Sequence, residues 1–225
     1  MSTLAHLPYA ERQALVASRR REMKDRVKDQ ILWVTDLKKP QNFADFFGNS
    51  NPLVLDIGAG KGEFAVAMAQ KMPGHNFICI EKRPPRTQAI VRKKLKLGLN
   101  NVLVVQCRLE HLFPHCFFRN SIAKAYMNFP DPWPKQAYRN RRNLNEDFVG
   151  MLHDLLIPGG DFHFATDVAS YAKTAYKILN AHEGFENVLA PDMWTQECEN
   201  EQKTLFYYHA RRDGLESSFL HFRKQ

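Results

Sequence analysis

Leu53-Val54-Leu55-Asp56-Ile57-Gly58-Ala59-Gly60-Lys61-Gly62 decides the fold. Its first five residues, apolar except for Asp56, predict a short buried strand. The glycines behind them let the backbone turn tightly and approach a ligand with no Cβ in the way. Phe64, Ala65, Met68, Ala69 and Met72 recur at helical spacing, so an amphipathic helix follows. Phe77-Ile78-Cys79-Ile80 predicts a second strand. It ends in Glu81, about 20 residues past the glycines, where an acid can hold a ribose diol. Strand, loop, helix, strand and acid in that order predict a nucleoside-binding βαβ unit.

Outward from this unit, strands and helices alternate. Pro84 and Pro85 suit the start of a helix that runs to a cap at Gly98. Val102 to Val105 and Ile122 to Met127 predict the third and fourth strands. A helix around Asn145 to Leu156 ends at Pro158-Gly159-Gly160, and Asp161 to Thr166 forms a fifth strand before Asp167. A helix with Tyr171, Ala175, Ile178 and Leu179 on one side comes next. The tail predicts extended pieces at Thr204 to Tyr208 and Phe219 to Phe222. This alternation argues for the α/β class, a doubly wound, mostly parallel, seven-stranded sheet. Residues 1–50 read as a basic N-terminal arm packed on or flanking the core, and residues 51–225 as the main domain.

A second motif is Asn128-Phe129-Pro130-Asp131-Pro132-Trp133-Pro134-Lys135, with Arg139, Arg141 and Arg142 just downstream. It places Asp131 in a stiff loop at the carboxyl end of a strand, the edge at which open α/β sheets bind ligands. The prolines predict extended backbone at Phe129 and Asp131. One acid, one flat ring and nearby cations suit a planar nucleobase on a polyanion. For Trp133, stacking on a base and packing under the loop both remain open.

Lys and Arg exceed Asp and Glu by 32 − 24 = 8 in these 225 residues, and the excess is clustered. Lys82 to Lys96 holds seven basic residues and no acid. Separated basic clusters are the electrostatic footprint of phosphate binding, although a single run is as often a solvated face. No stretch of about 18 apolar residues occurs, which argues against a membrane span. Cys79, Cys107, Cys116 and Cys198 show no C-x-x-C spacing, and a reducing cytoplasm is the expected location. Cys107, His111, His115 and Cys116 match no usual zinc spacing, so no metal is expected.

The glycine spacing separates two nucleoside ligands. A dinucleotide loop reads G-x-G-x-x-G, whereas here the third glycine comes one place early, at Gly62. The D-x-G-x-G-x-G form opening at Asp56 resembles the S-adenosylmethionine loop of class I methyltransferases. With Phe129 to Lys135, Arg141-Arg142, Ile80-Glu81, Gly159-Gly160, Thr166-Asp167 and Thr204, the chain resembles the tRNA (guanine-N7-)-methyltransferase family of the TrmB type from about Ile31 onward. The resemblance implies methyl transfer from S-adenosylmethionine to N7 of a guanine in the tRNA variable loop, by a monomer or homodimer.

The same resemblance implies roles. Asp131 is the catalytic acid. Asp56, Gly58, Gly60, Glu81, Arg83 and Asn128 bind the cofactor, with Arg108 and Leu109 near its adenine. Lys135, Asp167, Thr204 and Tyr207 line the substrate pocket, and Arg139, Arg141 and Arg142 hold tRNA phosphates. The chain departs from the family pattern at Arg108 and Tyr207, where an acid is usual. Those two departures raise a non-catalytic tRNA-binding subunit as the alternative. The glycine spacing disfavours an NAD-dependent oxidoreductase.

Overall fold

The computed structural model describes residues 9–33, 39–108, 116–133, 142–197 and 203–225. Its centre is one eight-stranded sheet in the order β1-β4-β3-β2-β5-β6-β8-β7. The strands are β1 (Ile31–Trp33), β2 (Leu53–Ile57), β3 (Asn76–Glu81), β4 (Val102–Gln106), β5 (Ile122–Asn128), β6 (Leu156–Thr166), β7 (Phe185–Asn187) and β8 (Ser218–Lys224). Pairing is parallel from β1 through β6, and β8 joins β6 and β7 antiparallel. The chain winds outward from β2 through β3 to β4, then returns to β5 on the other side of β2. The topological switch point therefore lies between β2 and β5, where doubly wound sheets bind their ligands.

Helices cover both faces. Helices α3 (Glu63–Lys71) and α4 (Pro84–Leu97) bury Phe64, Ala65, Ile90 and Val91 against Val54, Phe77, Cys79, Val104 and Tyr126. On the other face α2 (Phe43–Phe47), α5 (Glu146–Leu155) and α6 (Ala169–Asn180) pack Phe43, Phe148, Leu152, Tyr171 and Leu179 over Leu55, Ile57, Ile78 and Phe162. Residues 54 and 55 thus serve opposite cores, as the two-residue period of a strand requires. Expected punctuation is in place where Pro84 opens α4 and Gly98 caps it at φ 65°; α5 starts where the Asn145 side chain accepts from the Phe148 N–H.

Three features differ from the sequence expectation. The sheet has eight strands, with Ile31–Trp33 pairing with Val104 to Gln106 at one edge and Phe185–Asn187 pairing with β8 at the other. Helix α1 (Tyr9–Lys28) lies ahead of this strand, and its Val27 is buried in the α3–α4 core. Pro158-Gly159-Gly160 does not separate helix from strand. Leu156 already pairs with Ile122, the chain detours, and pairing resumes at Asp161 with Lys124. A Cβ on Gly160 would lie 2.8 Å from the Ile157 carbonyl oxygen, so the detour needs glycine there. The stretch expected to be extended at Thr204 to Tyr208 instead begins α7 (Leu205–Arg212). Thr204 caps this helix, its Oγ1 accepting from the Tyr207 N–H at 3.1 Å.

Across β5, β6 and β8, Lys124, Asp161 and Arg223 form one cross-strand row and Tyr126, His163 and His221 the next. Asp161, His163 and His221 place ligand-type atoms within 4.8 Å of one another. The Asp161 carboxylate is already bonded by Arg223 Nε at 2.9 Å and paired with Lys124 Nζ at 3.4 Å. Those cations compete with any ion, and the grouping holds strand register.

Candidate active site

A cleft of about 310 Å³ opens over the carboxyl ends of β2 to β6. Gly58, Gly60, Glu81, Arg83, Arg108, Asn128, Asp131 and Asp167 all line it. A second lobe of about 230 Å³ shares Gly58, Gly60 and Asn128 and adds Asp56, Phe64, Thr204 and His209. Residues picked from distant parts of the sequence therefore meet at one sheet edge.

The loop after β2 is held from behind. The N–H groups of Gly58 and Ala59 donate to the Ile80 carbonyl at 2.9 and 3.0 Å. Buried Glu81 accepts from the Gly60 N–H at 3.1 Å and from the Arg83 N–H at 2.9 Å, with Arg86 Nη1 at 3.5 Å. One carboxylate thus ties the glycine loop to the start of α4. Gly62 sits at φ 74°, and a Cβ there would meet Ile90 at 2.8 Å. The early third glycine serves the close approach of α3 to α4 and leaves the ligand side of the loop to Gly58 and Gly60.

Among the described residues beside the glycine loop, two polar atoms are buried without a hydrogen-bond partner. They are Oδ2 of Asp56 and Nδ2 of Asn128. Burial pushes the Asp56 carboxyl up to about 7; a backbone hydrogen bond from Ala65 opposes this, and nearby Glu81 and Glu63 add to it. An unmet acceptor and an unmet donor beside the same glycine loop are what a zwitterionic amino-acid tail would satisfy. The residues therefore fit S-adenosylmethionine, whose ammonium group would donate to Asp56 and whose ribose would lie beside Glu81.

The Asp131 loop departs from the expected extended form. Phe129 has φ 49° and Trp133 φ 41°, both left-handed. The Phe129 N–H donates to the Ala165 carbonyl at 2.8 Å, so the ladder to β6 continues one residue past β5 before the chain turns sharply. Phe129 lines the cleft, while Trp133, half-buried, is not part of its lining.

Arg142 is a correction to the phosphate-binding expectation. It is only 5% exposed, its Nε donates to the Pro132 carbonyl at 2.8 Å, and its guanidinium lies 4.3 Å from the centre of the Tyr171 ring. It fastens the Asp131 loop to α6. Burial, foremost, pushes the Tyr171 hydroxyl up to about 12, so that ring stays neutral under the cation. Leu109, Lys135, Arg139 and Arg141, with His111 and His115, lie outside the described residues.

Asp167 follows β6 and does not cap the next helix. Val168 is the N-cap of α6, and its N–H bonds Thr166 Oγ1 at 3.2 Å, which leaves the Asp167 carboxylate to the cleft. Tyr207 lies elsewhere. It is buried, its hydroxyl accepts from Arg211 Nη1 at 3.2 Å, and it lines cavities other than the two lobes. Phe206 and His209 on α7, rather than Tyr207, border the second lobe beside Thr204. A Thr in cap position followed by Tyr207 and Ala210 three residues apart is the sequence signal for this helix.

The switch-point cleft, the glycine loop and the unmet polar pair define a nucleoside-binding α/β protein of the S-adenosylmethionine-dependent methyltransferase class. The family described as "Putative methyltransferase" matches residues 50–218. A tRNA (guanine-N(7)-)-methyltransferase of Geobacter metallireducens is 34% identical over 189 residues, covering 84% of this chain and 90% of that protein. The enzyme of the same name from Vibrio parahaemolyticus is 34% identical over 174 residues, covering 77% and 73%. Among solved structures, the 16S rRNA methyltransferase KamB superposes with a TM-score of 0.60 at 16% identity, covering 83% of this chain and 95% of that one; this likeness speaks for the fold alone. The chain belongs to the tRNA (guanine-N(7)-)-methyltransferase family.

Two outcomes follow from the site. The Asp56 carboxyl sits well above its ordinary value of 3.8, so ionising it as pH rises from 4 towards 7 costs the fold on the order of 4 kcal/mol. Asp56→Asn should make the ligand-free protein more stable at pH 8, with the gain fading towards pH 4, and should weaken S-adenosylmethionine binding at least about tenfold. Denaturant titration at the two pH values and calorimetry check both. Arg142→Met should cost about 2–4 kcal/mol of stability and slow turnover. The salt dependence of tRNA binding should stay the same; a flatter slope would return Arg142 to phosphate contact.

Proposed function

We propose that the chain transfers a methyl group from S-adenosylmethionine to N7 of a guanine in the variable loop of tRNA. The observation that carries this is the meeting, in one cleft, of the Asp56–Asn128–Glu81 nucleoside end with the Asp131 and Asp167 carboxylates. When bound, S-adenosylmethionine supplies an electrophilic methyl group and leaves as a neutral thioether, so guanine N7 takes the methyl with its own lone pair and the purine takes the positive charge.

N7 carries no hydrogen, and the site needs no base at that atom. The chain contributes alignment in a partly enclosed cleft, where orientation of reactants accounts for roughly 7–11 kcal/mol of barrier. Asp131, exposed at the cleft wall, supplies negative charge where the purine becomes cationic or accepts from the guanine N1 and N2 edge. Asp167 is a second acceptor at the same edge. Exposed Lys82 and Arg83 line the cleft and present basic side chains for tRNA phosphates, with Arg139 and Arg141 as further candidates. Lys94, within the same run, is buried with its Nζ on the Val102 carbonyl and takes no part. Of the two residues behind the non-catalytic alternative, Tyr207 lies outside the cleft and Arg108 is exposed at its rim. No helix among the described residues is long and apolar enough to cross a membrane, and we place the enzyme in the cytoplasm with its substrate.

Incubation with methyl-labelled S-adenosylmethionine and unmodified tRNA transcripts should put label into 7-methylguanosine. Asp131→Ala should lower the rate by roughly a hundredfold with cofactor affinity little changed. Label in another nucleoside, or a full rate in the variant, would contradict the reading.

A further inference from the structure

Phe129 and Phe206 face each other with ring centroids 6.2 Å apart and planes 19° from parallel. Both line the cleft beside Asp131 and Asn128, and Phe206 also borders the second lobe. Phe206 is 53% exposed, an apolar ring presented to solvent at the mouth of the site.

Each ring is held from behind. Phe129 occupies a left-handed conformation that non-glycine residues rarely adopt, fixed by its bond to the Ala165 carbonyl. Phe206 stands in the first turn of α7, whose orientation is set by the Thr204 cap and by buried Tyr207 and Ala210. Two rings that both touch a planar base lie about 7 Å apart, twice the carbon contact distance. The centroids of the two rings are closer than that, so Phe206 and the start of α7 shift outward when a purine enters between them.

We propose that Phe129 and Phe206 sandwich the target guanine and stabilise the positive charge that develops on it. This rests on the proposed reaction. Aromatic faces carry negative potential, so a sandwich holds cationic 7-methylguanine more tightly than neutral guanine, and it favours the transition state for the same reason. The Asp131 and Asp167 carboxylates then meet the edge of a base whose faces are covered.

The test uses Phe206→Leu, which keeps apolar bulk without a π face, and Phe206→Trp, which restores one. With S-adenosylhomocysteine present, affinities are measured for unmodified tRNA and for the same tRNA carrying 7-methylguanosine. The wild type should prefer the methylated form by at least about threefold, Phe206→Leu should lose that preference, and Phe206→Trp should keep it. Phe206→Leu should also lower kcat/KM for tRNA by about tenfold or more, with S-adenosylmethionine affinity unchanged. Retained preference and rate in Phe206→Leu would overturn the proposal. So would a loss confined to cofactor affinity, which would place the cofactor's adenine against the ring. Failure of the wild type to methylate guanine at all would count against the reaction itself, whereas the tRNA preference is read from binding alone.

Discussion

Asp56, next to last in its strand, carries a carboxylate that is 2% exposed and has one oxygen without a hydrogen-bond partner among the described residues. Burying such a group without full compensation is costly, and the fold bears that cost at the switch point, in the middle of its sheet. Much of the site is arranged around it. Glu81, the neighbouring acid, is satisfied by the glycine loop and the start of α4, so the loop is rigid while Asp56 stays unmet. Asn128 brings an unmet donor from the facing strand. The proposed cofactor site is thus prepared before the ligand arrives, at the expense of stability. That trade is the usual one for binding sites.

The Asp131 side is prepared in a different way. Two left-handed residues, a backbone bond to β6 and a buried arginine over an aromatic ring hold a loop rich in proline. A base entering here meets carboxylates whose positions are already fixed, and alignment rather than proton transfer is what this reaction asks of a protein. The exposed ring on α7 lies across from this loop, on an element fastened by one cap and a short buried stripe.

Much of this was legible in the sequence, because the relevant signals are local. The βαβ unit, the Pro84 start and the Gly98 cap each rest on a few adjacent residues, and the structure has each of them. The misreadings share a cause: tertiary context outweighed a local rule. Ile31–Trp33 is too short to show periodicity and becomes a strand only by lying along β4. Pro158-Gly159-Gly160 reads as a break, yet β5 supplies partners on both sides of it. Phe129, expected to be extended ahead of Pro130, is turned by its bond to Ala165. Arg142 looks like its basic neighbours in sequence, and only packing on Tyr171 separates it from them. Tyr207, implied in the pocket by the family resemblance, turns inward from α7 to meet Arg211, while its neighbour Phe206 takes the cleft side.

The most direct test of the account is a proton count on cofactor binding. Titration calorimetry of S-adenosylhomocysteine in buffers of different ionisation enthalpy, between pH 6 and 7, reports how many protons leave the complex. If a half-protonated Asp56 receives the ligand's ammonium group, binding should release a sizeable fraction of a proton, most near the lower end of that range. Binding without any proton exchange across this range would mean that Asp56 is not the acceptor, and that the unmet oxygen at the centre of the sheet serves something else.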